Sequence, residues 1–205
     1  MIDFYKIIRN KVSMPLDQLK QLVKAIYPLT EKELDDFASV WQPFLAKRKA
    51  LLTLAGQKEN YLYFVVEGVQ RVYYLDQQDR EATLVFSYAP SFGGVVDSFL
   101  LQQPSRYYYE TLTPSVFLRA AFPSLQAVMQ RNPAVETMIR LGITHAMSGV
   151  LERLVEVQCY SSADRFRALL QRSSHILQLV PHKYLANYIG VDPTNFSKFI
   201  NSIKS

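Results

Sequence analysis

Apolar positions change their period along the chain. Leu16, Leu19, Leu22, Val23 and Ile26 recur every three or four residues, which predicts an amphipathic helix. Pro28 interrupts it. Thr30-Glu31-Lys32-Glu33 then has the capping-box form that opens a second helix, carrying Leu34, Phe37, Val40 and Trp41, with Pro43 as its stop. From Phe44 to Phe122 the texture becomes that of strands. The runs Leu51–Leu54, Tyr61–Val66, Val69–Leu75, Ala82–Tyr88, Tyr107–Leu112 and Ser115–Ala120 are rich in β-branched and aromatic residues. Turn signals separate them at Gly56, Glu67-Gly68, Asp76-Gln77-Gln78-Asp79 and Pro90, and Gly56 and Gly68 are expected to take positive φ. Short strands at this spacing predict a jelly roll or barrel, with the first two helices as its cover.

After Phe122 the helical period returns. Asn132 and Pro133 suit the N-cap and first position of a long helix. Ile139, Ile143, Ala146 or Met147, Val150, Leu154 and Val157 mark an apolar stripe on it. The stripe is long enough for a coiled-coil seam, but a helix packed on the roll would have the same spacing. Gly142 and Gly149 share one side and weaken the helix by about 1 kcal/mol each; they fit either close helix approach or bulky roll side chains. Gln158–Ser162 reads as a hinge. Ser161 and Asp164 form a capping pattern for a helix bearing Phe166, Leu169 and Leu170. Ser173-Ser174 interrupts, and Ile176, Leu177, Leu179 and Val180 lead into the last segment.

That segment predicts a helix-turn-helix. Leu185, Ala186 and Ile189 share a face, and Ala186 is small enough for a second helix to cross close above it. Gly190 supplies a left-handed end and Val191 fills the corner. Asp192 is a good N-cap and Pro193 fits the first helical position. Phe196, Phe199, Ile200 and Ile203 point inward, leaving Thr194, Asn195, Ser197, Lys198 and Asn201 outward. A neutral polar face of this kind fits a DNA groove; a plain packing hairpin has the same apolar pattern.

Composition narrows the class. The chain of 205 residues is 49% apolar, enough for a sizeable core, yet no apolar run approaches a membrane span and Met1–Lys6 carries no leader pattern. A single cysteine, Cys159, excludes an intrachain disulfide and suits a reducing, cytoplasmic setting. The formal charge is +5, and from Tyr160 onward six basic residues face two acids, so that tail holds +4 of it. This is either a solvated basic surface or charge placed for phosphates. The three histidines, His145, His175 and His182, all follow the strands, so a metal-binding barrel enzyme lacks its ligands. No CxxC, Gly-x-Gly-x-x-Gly or Walker loop is present, and no nucleophile–base pair stands out.

The motif Pro-x-x-x-Leu-Ala-x-x-Ile-Gly-Val-x-Pro-x-x-x-Ser-Lys, from Pro181 to Lys198, resembles the C-terminal helix-turn-helix of the CRP/FNR family of bacterial transcription regulators, most closely the Bacteroidetes-type branch. The resemblance extends forward. Lys47–Leu52, Gly56-Gln57 and Tyr63–Tyr74 look like the opening of a cyclic-nucleotide-binding-type roll, and Phe92–Arg106 falls where that family keeps its phosphate-binding cassette. In members that bind cyclic AMP, a glycine-glutamate pair opens the cassette and an arginine-serine pair closes it. Here Gly93 matches the glycine and Ser105 the serine, but Gly94 replaces the glutamate and Pro104 the arginine. Losing both charged partners should cost several kcal/mol of ligand binding, on the order of the charge-assisted bonds removed. Asp97 or Arg106 could substitute only with the loop shifted.

The resemblance implies an α+β chain: a jelly-roll β-barrel with N-terminal helices (1–130), a dimerisation helix (131–158) and a helix-turn-helix DNA-binding domain (159–205), with little room for a β-wing. It implies a cytoplasmic, non-enzymatic homodimer that binds double-stranded DNA, with RNA polymerase as a further partner, and no membrane. His182, Lys183, Thr194, Asn195, Ser197 and Lys198 are the expected DNA contacts, with Lys198 suited to guanine, Asn195 to adenine or phosphate, and His182, Lys183 and Ser197 to the backbone. Gly93, Gly94, Asp97, Ser105 and Arg106 are the candidate ligand residues. No cofactor or metal is expected, cyclic AMP is disfavoured, and any small-molecule effector is unidentified. The alternative is a non-catalytic ligand sensor whose helix-turn-helix docks protein.

Overall fold

The computed structural model describes the backbone of residues 4–204 and the side chains of residues 14–202. The leader reading at Met1–Lys6 and the inward placing of Ile203 therefore lie outside the described side chains. Helix α1 (Phe4–Ile26) and α2 (Glu31–Ala38) come first. The capping box at α2 is complete: the Glu33 amide donates to Thr30 Oγ1 at 3.4 Å, and the Thr30 amide donates to the Glu33 carboxylate at 2.8 Å.

Eight strands then form a two-sheet roll. They are β1 (Trp41–Ala46), β2 (Leu51–Thr53), β3 (Tyr61–Glu67), β4 (Val69–Leu75), β5 (Glu81–Tyr88), β6 (Ser91–Gly93), β7 (Tyr108–Thr111) and β8 (Ser115–Ala121). One sheet has the order β1-β8-β3-β6, the other β2-β7-β4-β5, all pairs antiparallel. Gly56 and Gly68 take φ of 84° and 93° in the turns. Two strands depart from the sequence reading. Trp41 and Pro43 belong to β1 rather than to a helix and its stop, with Pro43 opposite Leu118. β1 is an edge strand, where a residue lacking an N–H is tolerated on the open side. β6 has only three residues, too short to show a period.

Each face of the roll has its own cover. Trp41, Leu62, Phe64, Leu118 and Ala120 pack under Leu19, Val23, Leu34 and Phe37 of α1 and α2, and under Leu125 and Val128 of α4 (Phe122–Arg131). Between the sheets lie Tyr63, Val65, Val95, Tyr109 and Phe117. The short helix α3 (Val96–Leu101) buries Phe99 against the first cluster. Helix α5 (Pro133–Cys159) follows. Its first turns are packed inward through Val135, Met138 and Ile139, and Gly142 faces Ile26 of α1. From Ile143 onward its apolar residues turn outward: Met147, Val150, Leu154 and Val157 are each about half exposed. The stripe thus changes surroundings along one helix, packed in the core at first and exposed afterwards. Asn132 separates α4 from α5, with its side chain on the Val128 carbonyl rather than on an α5 amide.

The remaining helices are α6 (Ser162–Ser173), α7 (Ile176–Leu179), α8 (His182–Ile189) and α9 (Pro193–Lys204). Among the described residues no strand follows β8, and no helix is long and apolar enough to cross a membrane.

Candidate nucleic-acid interface and roll interior

The turn between α8 and α9 follows from its sequence. Gly190 sits at φ 64°; its amide donates to the Asn187 carbonyl at 3.1 Å, and the Val191 amide donates to Ala186 at 2.9 Å. These two bonds make a Schellman end, which needs a residue at ease with positive φ. The Asp192 carboxylate then accepts the Thr194 amide at 2.7 Å, and that bond holds its pKa below the usual aspartate range. Leu185, Ala186, Ile189 and Phe196 are fully buried, and Phe166 of α6 meets Phe196 edge-on at 5.3 Å.

This packing leaves Thr194, Asn195, Ser197 and Lys198 together on the exposed side of α9. The Ser197 hydroxyl donates to the Pro193 carbonyl at 3.0 Å, so outward it offers mainly lone pairs. His182 is exposed at the start of α8, its ring 5.6 Å from Phe196 on the inward side of α9. Lys183 is directed elsewhere. Its ammonium lies 4.7 Å over the Tyr184 ring, and its charge acts on Glu81 of β5, so it stands on the roll side of α8. The basic tail is also partly consumed internally. Arg172 pairs with Glu156, Arg167 pairs with Asp164, and Arg165 donates to Ser162.

The outer face of the second sheet is covered by these helices. Val69 and Leu112 share one apolar cluster with Phe166, Leu169, Tyr184, Leu185 and Ile189. Within this contact the Arg71 guanidinium is 2% exposed, 4.1 Å from the rings of both Tyr73 and Tyr184. It donates to Glu110 at 3.0 Å and to Glu81 at 2.7 Å, which gives the buried charge its partners. Lys49 bridges to Glu110 at 3.0 Å and donates to the Tyr184 hydroxyl at 2.6 Å. Burial pushes the Tyr184 phenol up, but the bond and charge of Lys49, with the Lys183 bond and the Arg71 charge, together outweigh it and leave the group below its ordinary value.

The five candidate ligand residues do not converge. Gly93 is the inner neighbour of Tyr63 on β3, and a Cβ there would meet the Tyr109 hydroxyl at 2.3 Å. Gly94 has φ 115°, a region that a glutamate adopts only with strain. Asp97 and Arg106 are exposed, and Ser105 is buried with its hydroxyl in a tight turn to Tyr107. Arg106 precedes β7 rather than lying in it. A carboxylate reaches the cassette from elsewhere: Glu59, buried, accepts Thr53 Oγ1 and the Tyr61 amide, and lies near the Val95 amide. Burial pushes its pKa up despite these bonds. Arg119 of β8, in register with Tyr63, is the inner-face cation, its guanidinium between the rings of Phe44 (4.0 Å) and Tyr61 (4.2 Å).

The sequence reading missed Glu59, Arg71, Arg119, Tyr184 and Asn187. A charge inside an apolar strand run, as at Arg71, was the one available signal. The histidines lie apart: His145 is exposed on α5, and His175 meets Tyr88 at 5.1 Å.

Residues 45–132 match the cyclic nucleotide-binding domain family. The solved structures extend the likeness through the C-terminal helices. FixK2 from Bradyrhizobium japonicum superposes with a TM-score of 0.74 at 14% identity, over 80% of this chain and 85% of that one. The chain has the CRP/FNR regulator fold. The c-di-GMP-responsive global regulator CLP of Xanthomonas campestris gives 0.67 at 15% identity, covering 85% of this chain and 92% of its own. A crp/fnr-family regulator from Eubacterium rectale also gives 0.67 at 15% identity, with 88% of each chain covered. No curated protein matches the sequence significantly.

Proposed function

We propose that the chain is a homodimeric DNA-binding transcription regulator that does not depend on cyclic AMP. The observation that carries the reading is the face of α9: Thr194, Asn195, Ser197 and Lys198 stand exposed together on a helix whose other side is a closed apolar core. A short, mostly neutral polar face with one lysine reads base edges, and His182, exposed at the start of α8, serves a phosphate. Lys183, held toward the roll, has the weaker claim among the six contacts. The outward half of α5 is the dimer seam, since Ile143, Met147, Val150, Leu154 and Val157 keep alternating four- and three-residue steps.

Independence from cyclic AMP is supported by the cassette. Pro104 stands where the arginine belongs, Gly94 where the glutamate belongs, and the Tyr109 ring fills the space over Gly93. The reading includes no catalysis and no cofactor, a cytoplasmic site of action, and RNA polymerase as the downstream partner.

Fluorescence anisotropy against a randomised duplex pool, at two salt concentrations and with and without cyclic AMP, tests it. Binding should fall steeply with salt, as phosphate neutralisation requires, and be indifferent to the nucleotide. Binding only with cyclic AMP would overturn the nucleotide-independent part. No binding in any condition would overturn DNA reading in favour of a sensor whose helix-turn-helix docks protein.

A further inference from the structure

The contact between α8 and the roll is built from side chains that reach from the helix-turn-helix onto the second sheet. Asn187 is the clearest. Its Oδ1 accepts the Thr83 amide at 2.6 Å, and its Nδ2 donates to the Glu81 carbonyl at 2.7 Å. β5 is an edge of its sheet, so one asparagine amide completes the ladder as a further strand would. Tyr184 is the second. Its ring lies on Arg71 and its hydroxyl on Lys49, both residues of the roll. Around these two, Phe86 meets Tyr188 at 5.2 Å, and the hydroxyls of Tyr88 and Ser173 bond at 2.7 Å.

The same helix is gripped from a second side. Arg153 of α5 donates to the Tyr188 carbonyl, and Glu156 of α5 binds Arg172 of α6. α5 also carries the outward apolar seam. The α8–α9 unit is therefore fastened to the sheet and to the seam helix at once, while the reading face of α9 stays open.

We infer that Asn187 and Tyr184 are positioning residues that fix the reading helix relative to the dimer seam, and so set the separation between DNA half-sites that the protein accepts. The inference rests on the DNA reading above. Two rigidly held heads give the second contact a high effective concentration at one separation and a low one elsewhere; loosely held heads spread it over many.

The test compares the unaltered protein with Asn187→Ala and Tyr184→Phe. A duplex selected from the randomised pool is rebuilt with its half-sites moved apart one base pair at a time, and also as a single half-site. The unaltered protein should show a sharp optimum. Each variant should bind the single half-site as the unaltered protein does. On the optimal duplex each should bind about tenfold more weakly, with a flatter spacing profile, the tenfold being what a lost bond or two supplies. An unchanged profile, or an equal loss on the single half-site, overturns the positioning role.

A DNA-free readout is amide exchange at Thr83, whose N–H is held by Asn187. Exchange should quicken about tenfold in Asn187→Ala, since one protecting acceptor is gone. An unchanged rate would show that the fastening does not form in solution and overturn the inference. Failure of the unaltered protein to select any duplex would instead overturn DNA reading, and the spacing role with it, whatever the exchange rate shows.

Discussion

Replacing Leu154 by aspartate places a carboxylate in the outward seam of α5. Leu154 is 50% exposed and its neighbour Val155 is 51% exposed, so simple accessibility does not distinguish them. Register does: Leu154 continues the steps from Ile143 through Met147 and Val150, and Val155 is turned about 100° away around the helix. Burying the exposed half of a leucine is worth about 1 kcal/mol, so two chains lose about 2 kcal/mol of association from Leu154→Asp. The charge adds more. The cheapest way to bury an aspartate is to protonate it, which at pH 7 costs about 4 kcal/mol from a pKa of about 3.9. Partial exposure in the dimer reduces this, so a loss of at least about 4 kcal/mol for the dimer, about a thousandfold in its dissociation constant, is expected. At pH 5 protonation costs only about 1.5 kcal/mol per chain, so the variant should recover much of its association on acidification. Sedimentation equilibrium at both pH values measures this. Val155→Asp should dimerise as the unaltered protein does. Equal losses in the two variants, or none in Leu154→Asp, would refute the seam.

Lys198→Ala should relax base preference at one position in each half-site, by about 1–3 kcal/mol of discrimination, read by selection from a random pool. Thr30→Ala should lower thermal stability by about 1 kcal/mol through loss of the α2 cap, read by calorimetry. Phe196→Ala should cost about 3–5 kcal/mol and unfold the C-terminal helices first, seen as amide exchange there. Burial pushes the Glu156 carboxyl up, but Arg172 and Arg153 more than offset this and hold it below the usual glutamate range. A depressed folded pKa stabilises the fold fully above the unfolded value, about 4.3, and that contribution is lost as pH falls through the lower folded one. Acid unfolding followed by circular dichroism should therefore be shallower below about pH 4 in Glu156→Gln than in the unaltered protein.

The strands and the final two helices were legible because local chemistry dictates them. β-Branched and aromatic runs between turn residues lie where β3, β4, β5, β7 and β8 lie, and Gly190 and Asp192 sit where the helix ends need them. β1 was illegible because an edge strand shows water on both sides: Gln42, Pro43 and Leu45 are all exposed, a pattern without a clean alternation. The cassette's departures at Gly94 and Pro104 were visible as missing residues, whereas Glu59 arrives from the β2–β3 connection and Arg119 from β8, which only the folded roll brings near. The fate of the tail's charge was hidden for the same reason, since the partner of Arg172 is Glu156 on the far side of the expected hinge. The contact of α8 with β5 joins residues more than a hundred positions apart, and no local pattern announces such a pairing.

The burial of Arg71 has an evolutionary and engineering corollary. A guanidinium on the outer face of a sheet is comfortable only while Tyr184 roofs it. Grafting the C-terminal helices onto another roll would strip that roof from this one. The grafted Asn187 and Tyr184 would in turn leave behind Thr83, Glu81, Arg71 and Lys49, the groups they meet here. The unit of exchange in this chain is the helix-turn-helix together with β4, β5 and β7, and a viable chimaera has to carry those strands along.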